Sequence, residues 1–430
     1  MDAQHIEQQL TDRKIPNLLP LDEGWLLPHY GGFSIANIPA TVAALLGVDL
    51  PGALPALPEQ VWAEWLPGLR RVVLVILDAL GYRMLQRMSA SGEGQVFSTL
   101  AKAGRLIPLT SVFPSTTDAA LVSLSTGRPP AEHGWLAYTM YLRELGVAAN
   151  AILLSSLWTR KTDELLGWGL DPSTLIPLPR LAERLASAGV HTGAVFYAGF
   201  RNTGFSSMLY RGVAEQRGHL HASDLWVQLR HLLSETRGSQ AFITAYWSGL
   251  DTLAHAYGPE TDHCEAEFQS VNHLLSRQFL DSLTAADREG TLLLITADHG
   301  QINVPPEQIL DADQDPELSQ HLMMPVMGES RAAFVHPRPG RSKAVRDYLE
   351  ASYPDWFIVR DSVEVLESGL VGKPIADETY ARAGELIVLP RGTRALQQTQ
   401  PSVPLVGRHG GLTPEEMLVP LIGARLEALG

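Results

Sequence analysis

"LLLITADHGQ" (residues 292–301) is the stretch on which the reading of this chain turns. Leu292 to Ile295 form an apolar run without polar alternation, as strands buried on both faces do. It leads through Thr296 and Ala297 straight into Asp298, His299 and Gly300. An acid and an imidazole at that place admit two readings. One is packing: the Asp caps the next turn and the His is a satisfied partner. The other is chemistry, because carboxylate and imidazole are standard ligands of a divalent metal.

Working outward, runs of the same kind recur at VVLVIL (72–77), NAILLSSL (150–157), TGAVFYA (192–198), AFITAYW (241–247) and TLLLIT (291–296). Helical patterns such as LAERLASAG (181–189) and EAEFQSVNHLLSRQFLDSL (265–283) lie between them. The alternation predicts an α/β fold with a mostly parallel central sheet flanked by helices. Residues 315–400 read differently: AAFVH, SKAVRDYLEAS, WFIVR and ELIVLP, joined by Pro- and Gly-rich segments, predict a small α+β insertion. Residues 1–314 and 401–430 then form the core domain.

A chain of 430 residues, 45% hydrophobic, is long enough for one large core with such an insertion. Its net charge of −14 repels nucleic-acid backbones and anionic membranes, and no apolar run is long enough to span a bilayer. Bound metals would still let it handle a small anionic substrate. Cys264 is the only cysteine, which excludes an intramolecular disulfide and a thiolate zinc cluster. The opening MDAQHIEQQLTDRK is polar, so a cytoplasmic location is expected.

In open α/β sheets ligands bind beyond the carboxyl ends of the strands. Asp78 follows VVLVIL, Asp251 and His255 follow AFITAYW, and Asp298 and His299 follow TLLLIT. On a helix, Asp251 and His255 share a face and can grip one ion; a local Asp–His hydrogen bond is the plainer alternative. In SVFPSTTDAALVSLSTG (111–127), Ser115 and Asp118 fit a capping box; alternatively, a Thr hydroxyl stands in the first turn of a helix, where free N–H groups favour a phosphate. His409 lies among Gly407, Gly410 and Gly411, ahead of an N-cap and first turn at Thr413-Pro414-Glu415-Glu416. Together these oxygen and imidazole donors suit two divalent ions, zinc first and manganese as the alternative, and two ions roughly 4 Å apart form a clamp for displacement at phosphorus.

In this order the motifs resemble the alkaline phosphatase superfamily, and within it the type I phosphodiesterase/nucleotide pyrophosphatase family, from about residue 72 to 422. That family's pattern runs Pro-Ser-x-Thr, nine residues, then Gly; here Pro114-Ser115-Thr116-Thr117 precede Gly127 at that spacing. The resemblance implies that Thr117 is the nucleophile, with Thr116 as the alternative. It implies one ion held by Asp78, Thr117, Asp298 and His299, and another by Asp251, His255 and His409. The implied activity is hydrolysis of a phosphodiester or phosphoanhydride in a small, nucleotide-type substrate through a phosphothreonine. A phosphomonoesterase or phosphonate hydrolase is the alternative, and a non-catalytic ligand sensor the third reading. Tyr197, Phe200 and Arg201 are the expected substrate contacts, against simple core packing. Many members carry an Asn three residues after the nucleophile, where this chain has Ala120. The sulfatase pattern is absent, since Cys264 lies far from the helix start, and Gly372-Lys373 is followed by Pro374, not by the Ser or Thr of a P-loop.

Overall fold

The computed structural model describes residues 2–15, 24–398 and 405–429. Seven strands make the central sheet: β1 (Arg71–Leu77), β2 (Arg105–Thr110), β3 (His191–Tyr197), β4 (Glu215–His219), β5 (Ala241–Trp247), β6 (Thr291–Thr296) and β7 (Leu418–Arg425). Their spatial order is β2-β7-β6-β1-β5-β3-β4. All neighbours run parallel except at β7, which is antiparallel to both β2 and β6. The expected α/β class, with a mostly parallel sheet and flanking helices, is what the chain adopts. Every residue of β1 and β6 is buried, which is why both read as unbroken apolar runs. Burying each Val, Leu or Ile there contributes roughly 1.5–3 kcal/mol. Helix Ala222–Glu235 packs on β3, β4 and β5 through Leu225, Leu229, Leu232 and Leu233, and Gln95–Ala103 packs on β7.

The run at 150–157 departs from expectation and is no central strand. Val147–Asn150 and Ser155–Ser156 pair with each other, but the four residues between them turn. The cause is local: Asn150 Oδ1 accepts the N–H groups of Ile152 at 3.1 Å and Leu153 at 2.7 Å. The 265–283 pattern is helical over Asp262–Leu274 and then widens into one π-helical turn, Leu275–Phe279.

A second sheet of seven strands is antiparallel throughout. Its order is Phe357–Asp361, Leu386–Pro390, Ala332–Val335, Met327–Glu329, Thr139–Leu142, Val147–Asn150 and Ser155–Ser156. Helix Ser342–Ser352 covers it, inserting Val345 and Leu349 among Val335, Phe357, Val359 and Leu386. Residues 139–156 therefore share a sheet with strands from the 315–400 stretch. The expected boundary at 400/401 lies outside the described residues. A buried ion pair, Arg331 Nη2 to Glu416 Oε2 at 3.0 Å, joins this sheet to the turn that leads into β7. Among the described residues no helix is long and apolar enough to cross a membrane.

Candidate metal centre

Three parallel strands bring the expected residues to one edge of the central sheet. Asp78 follows β1 directly. The next residue, Ala79, turns at φ 62° and donates its N–H to Asp298 Oδ1 at 3.2 Å. Asp298 and His299 follow β6. At Gly300 a Cβ would overlap the Glu415 carbonyl oxygen and lie 3.1 Å from Gly81 Cα, so the backbones approach too closely for any side chain. Strand β5 leads into helix α2 (Gly249–Tyr257), on which Asp251 and His255 share a face. Helix α1 (Thr117–Thr126) starts with Thr117, and Thr116 is its N-cap. The expected Ser115/Asp118 capping box does not form: Ser115 Oγ donates to the Gly411 carbonyl at 2.8 Å, and Asp118 Oδ1 accepts from Ala119 N–H instead. His409 arrives just after Gly407–Arg408, which pairs antiparallel with Ile302–Asn303. The helical turn beyond it begins as expected, with Thr413 and Glu416 in a capping box.

The three imidazoles are oriented alike. His255 Nδ1 lies 2.8 Å from the Gly407 carbonyl, His299 Nδ1 3.1 Å from that of Gly300, and His409 Nδ1 3.1 Å from that of Ser115. A carbonyl only accepts, so Nδ1 is the donor in each contact and Nε2 faces inward, where a neutral ring offers its lone pair. Around His299 Nε2 stand Thr117 Oγ1 at 3.0 Å, Asp78 Oδ1 at 3.5 Å and Asp298 Oδ2 at 3.7 Å. Around Asp251 Oδ1 stand His255 Nε2 at 3.3 Å and His409 Nε2 at 4.0 Å. Ligand atoms of Asp251, His255 and His409 lie within 4.8 Å of one another, as do those of Asp78, Asp251 and His299.

Asp78 Oδ1 and Asp298 Oδ2 are buried and have no hydrogen-bond partner. Burial, then the charges of Asp298 and Asp251, push the Asp78 carboxyl well above the usual range, although Tyr246 donates its hydroxyl to the other oxygen. Burial and the neighbouring His299 and His255 hold His409 well below the usual imidazole range, which keeps it neutral. Crowded carboxylates with orphaned oxygens and inward-facing lone pairs fit the donor set of divalent cations. All seven expected ligands thus converge.

Thr117 also opens onto a cavity of about 210 Å³ walled by Leu121, Ile152, Phe200, Phe205, Leu209 and Tyr246. Of the three expected substrate contacts, Phe200 lines it. Tyr197 stands edge-on to Phe200 at 5.3 Å, and Arg201 packs over Gly218.

The sequence matches the model of the type I phosphodiesterase/nucleotide pyrophosphatase family over residues 72–412. The chain belongs to that family. It is accordingly a hydrolase of the alkaline phosphatase superfamily, whose members of this kind depend on divalent metals. Solved structures share the fold. Murine ectonucleotide pyrophosphatase/phosphodiesterase 5 superposes with a TM-score of 0.63 at 17% identity, covering 82% of this chain and 87% of its own. An inactive variant of the same murine protein, in complex with AMP, matches equally, at 0.63 over 83% and 88%. Phosphonoacetate hydrolase from Sinorhizobium meliloti 1021, in complex with phosphonoacetate, gives 0.62 at 17% identity over 89% and 97%. No curated protein sequence matches significantly.

In this phosphodiesterase-family centre, three residues escaped the reading of the sequence. Tyr246, the penultimate residue of β5, turns its hydroxyl onto Asp78. Gln301, beside the DHG triplet, donates to Asp251 Oδ1. Glu329 reaches in from the second sheet and accepts the Thr116 hydroxyl at 2.6 Å and the Tyr138 N–H at 2.8 Å. The first two adjoin strand ends, as the other site residues do; Glu329 carries no local signal.

Proposed function

We propose that this hydrolase cleaves phosphodiester or phosphoanhydride bonds of small, nucleotide-type substrates, with Thr117 as nucleophile. The observation that carries the reading is the convergence of three imidazole lone pairs and two orphaned carboxylate oxygens beside the Thr117 hydroxyl. Asp78, Thr117, Asp298 and His299 would hold one divalent ion, and Asp251, His255 and His409 the other; nitrogen and oxygen donors without thiolate favour zinc, with manganese second. When bound, the ions supply Lewis-acid stabilisation of charge on the phosphoryl oxygens and lower the pKa of a coordinated hydroxyl.

The chain's own residues do the rest. The Thr116 hydroxyl is committed to Glu329, which leaves Thr117 as the hydroxyl facing the donors. Standing at the first position of α1, Thr117 meets a phosphoryl group where free helix N–H groups point at its oxygens. Its oxygen forms the new bond to phosphorus as the bond to the leaving group breaks, and water then hydrolyses the phosphothreonine. The cavity lined by Leu121, Phe200 and Phe205 takes an apolar part of the substrate. Ala120, where relatives of the nucleotide type often carry Asn, favours a second reading on the same centre: a phosphonate or phosphomonoester hydrolase.

The test is turnover of an aryl phosphodiester and an aryl phosphomonoester, side by side, by metal-stripped protein refilled with zinc or manganese. Diester preference supports the first reading, and monoester preference the second. Thr117→Ala should lower turnover by at least about a thousandfold while the fold, read by circular dichroism, is retained. Full activity in that variant moves the nucleophile to Thr116 or overturns the covalent scheme.

A further inference from the structure

Arg408 is only 5% exposed, yet its Nε is buried without a hydrogen-bond partner, and among the described residues no carboxylate pairs with its guanidinium. Its backbone is held by the short pairing with Ile302–Asn303, so the side chain is placed, not adrift. It lines a cavity of about 360 Å³ together with Tyr138, Asn150, Leu157, Arg160 and Gln397. Glu329 forms the wall toward the metal centre, and its Oε1 is already engaged by Thr116 and Tyr138.

Glu329 and Asp311 act on Arg408 only through space; a buried guanidinium without a direct ion pair is costly, and its planar fork matches a carboxylate or phosphate two bonds at a time. The volume is that of a small-molecule site. Arg160, exposed at the rim, adds a second positive charge. The cavity is tied to the chemistry on two sides: Arg408 immediately precedes His409, and Glu329 bonds the residue before Thr117.

We propose that this cavity recognises an acidic group, a carboxylate or a phosphate, carried by the molecule whose phosphorus reaches Thr117. Which molecule that is rests on the hydrolase reading above; the anion site does not. The substrate class narrows accordingly to phosphate or phosphonate compounds with a second acidic function.

The experiment uses the full, metal-loaded chain and two aryl phosphodiesters, one whose alkyl arm ends in a carboxylate and one whose arm is uncharged. In Arg408→Gln, with two metal equivalents retained, the kcat/KM preference for the acidic diester should fall roughly 10- to 100-fold, as expected for losing a charge-assisted pair. Arg408→Lys should restore part of it, and Arg160→Gln should shift it the same way by less. An unchanged preference overturns the proposal and leaves Arg408 as a support for the His409 loop. Calorimetric titration with succinate separates a free anion from a substrate-borne one. If neither diester is turned over, the hydrolase reading fails by itself. Succinate binding that Arg408→Gln abolishes then supports the anion site, and absence of binding in the wild type overturns it.

Discussion

Asp78 shows what one side chain contributes here. Its carboxyl lies at the end of a buried strand, beside two other carboxylates, with one oxygen unpartnered. Its folded pKa stands above its unfolded value, so the folded protein without metal binds this proton more tightly. That contribution to stability is complete below the unfolded value near 4 and is lost as pH rises through the folded pKa. Metal-stripped protein should therefore melt lower at pH 8 than at pH 5 on account of this group. Asp78→Asn keeps an acceptor for Tyr246 and removes the charge. It should raise the stability of the stripped protein at pH 8 by about 2 kcal/mol while lowering metal uptake. Melting curves of both proteins at the two pH values decide this; a metal-free Asp78→Asn no more stable than wild type at pH 8 refutes it.

At the scale of the element, the strand ends act through backbone proximity as much as through side chains. Gly300→Ala would drive a methyl into the Glu415 carbonyl. The loop after β6 would have to move away from the turn before β7, taking His299 with it. A destabilisation of about 1–3 kcal/mol is expected, with loss of metal affinity beyond what the melting shift explains; denaturant titration alongside metal titration separates the two.

The same scale explains what the sequence discloses. β1 and β6 are legible because burial on both faces leaves only apolar residues, and the acids that follow them stand out for that reason. β4, with Glu215, Gln216 and Arg217, is an edge strand half-covered by neighbours, so nothing in its composition marks it. NAILLSSL has the composition of a buried strand, but one amide side chain at Asn150 turns it. The seven converging residues lie next to legible strands or in recognisable motifs. Glu329 does not, because its place depends on how the second sheet meets the first.

At the scale of the whole molecule, one link between the two sheets is the Arg331–Glu416 pair, with neither side chain exposed. Glu416 also accepts the Gly411 N–H at 2.8 Å, so the pair steadies the loop that carries His409. Arg331→Met strands a buried carboxylate and should cost about 3–5 kcal/mol. The double replacement Arg331→Met with Glu416→Leu should cost less than either single change. A double-mutant cycle on chemical denaturation, with zinc content measured in parallel, tests this, and additive losses would show that the two residues are not coupled.

β7 has a consequence for how the protein is made. It is the last of the seven strands to leave the ribosome, yet it lies inside the sheet, between β2 and β6. Until it emerges, β2 is separated from the five strands β6-β1-β5-β3-β4, and two hydrogen-bonding edges stay open on the nascent chain. A chain stopped just before Leu418 should therefore be held by chaperones or cut by proteases that spare the full-length protein, and pulse proteolysis of both would show it. His409 is translated only a few codons ahead of this strand. Closure of the sheet and arrival of the last of the seven converging residues thus fall at the same moment of translation.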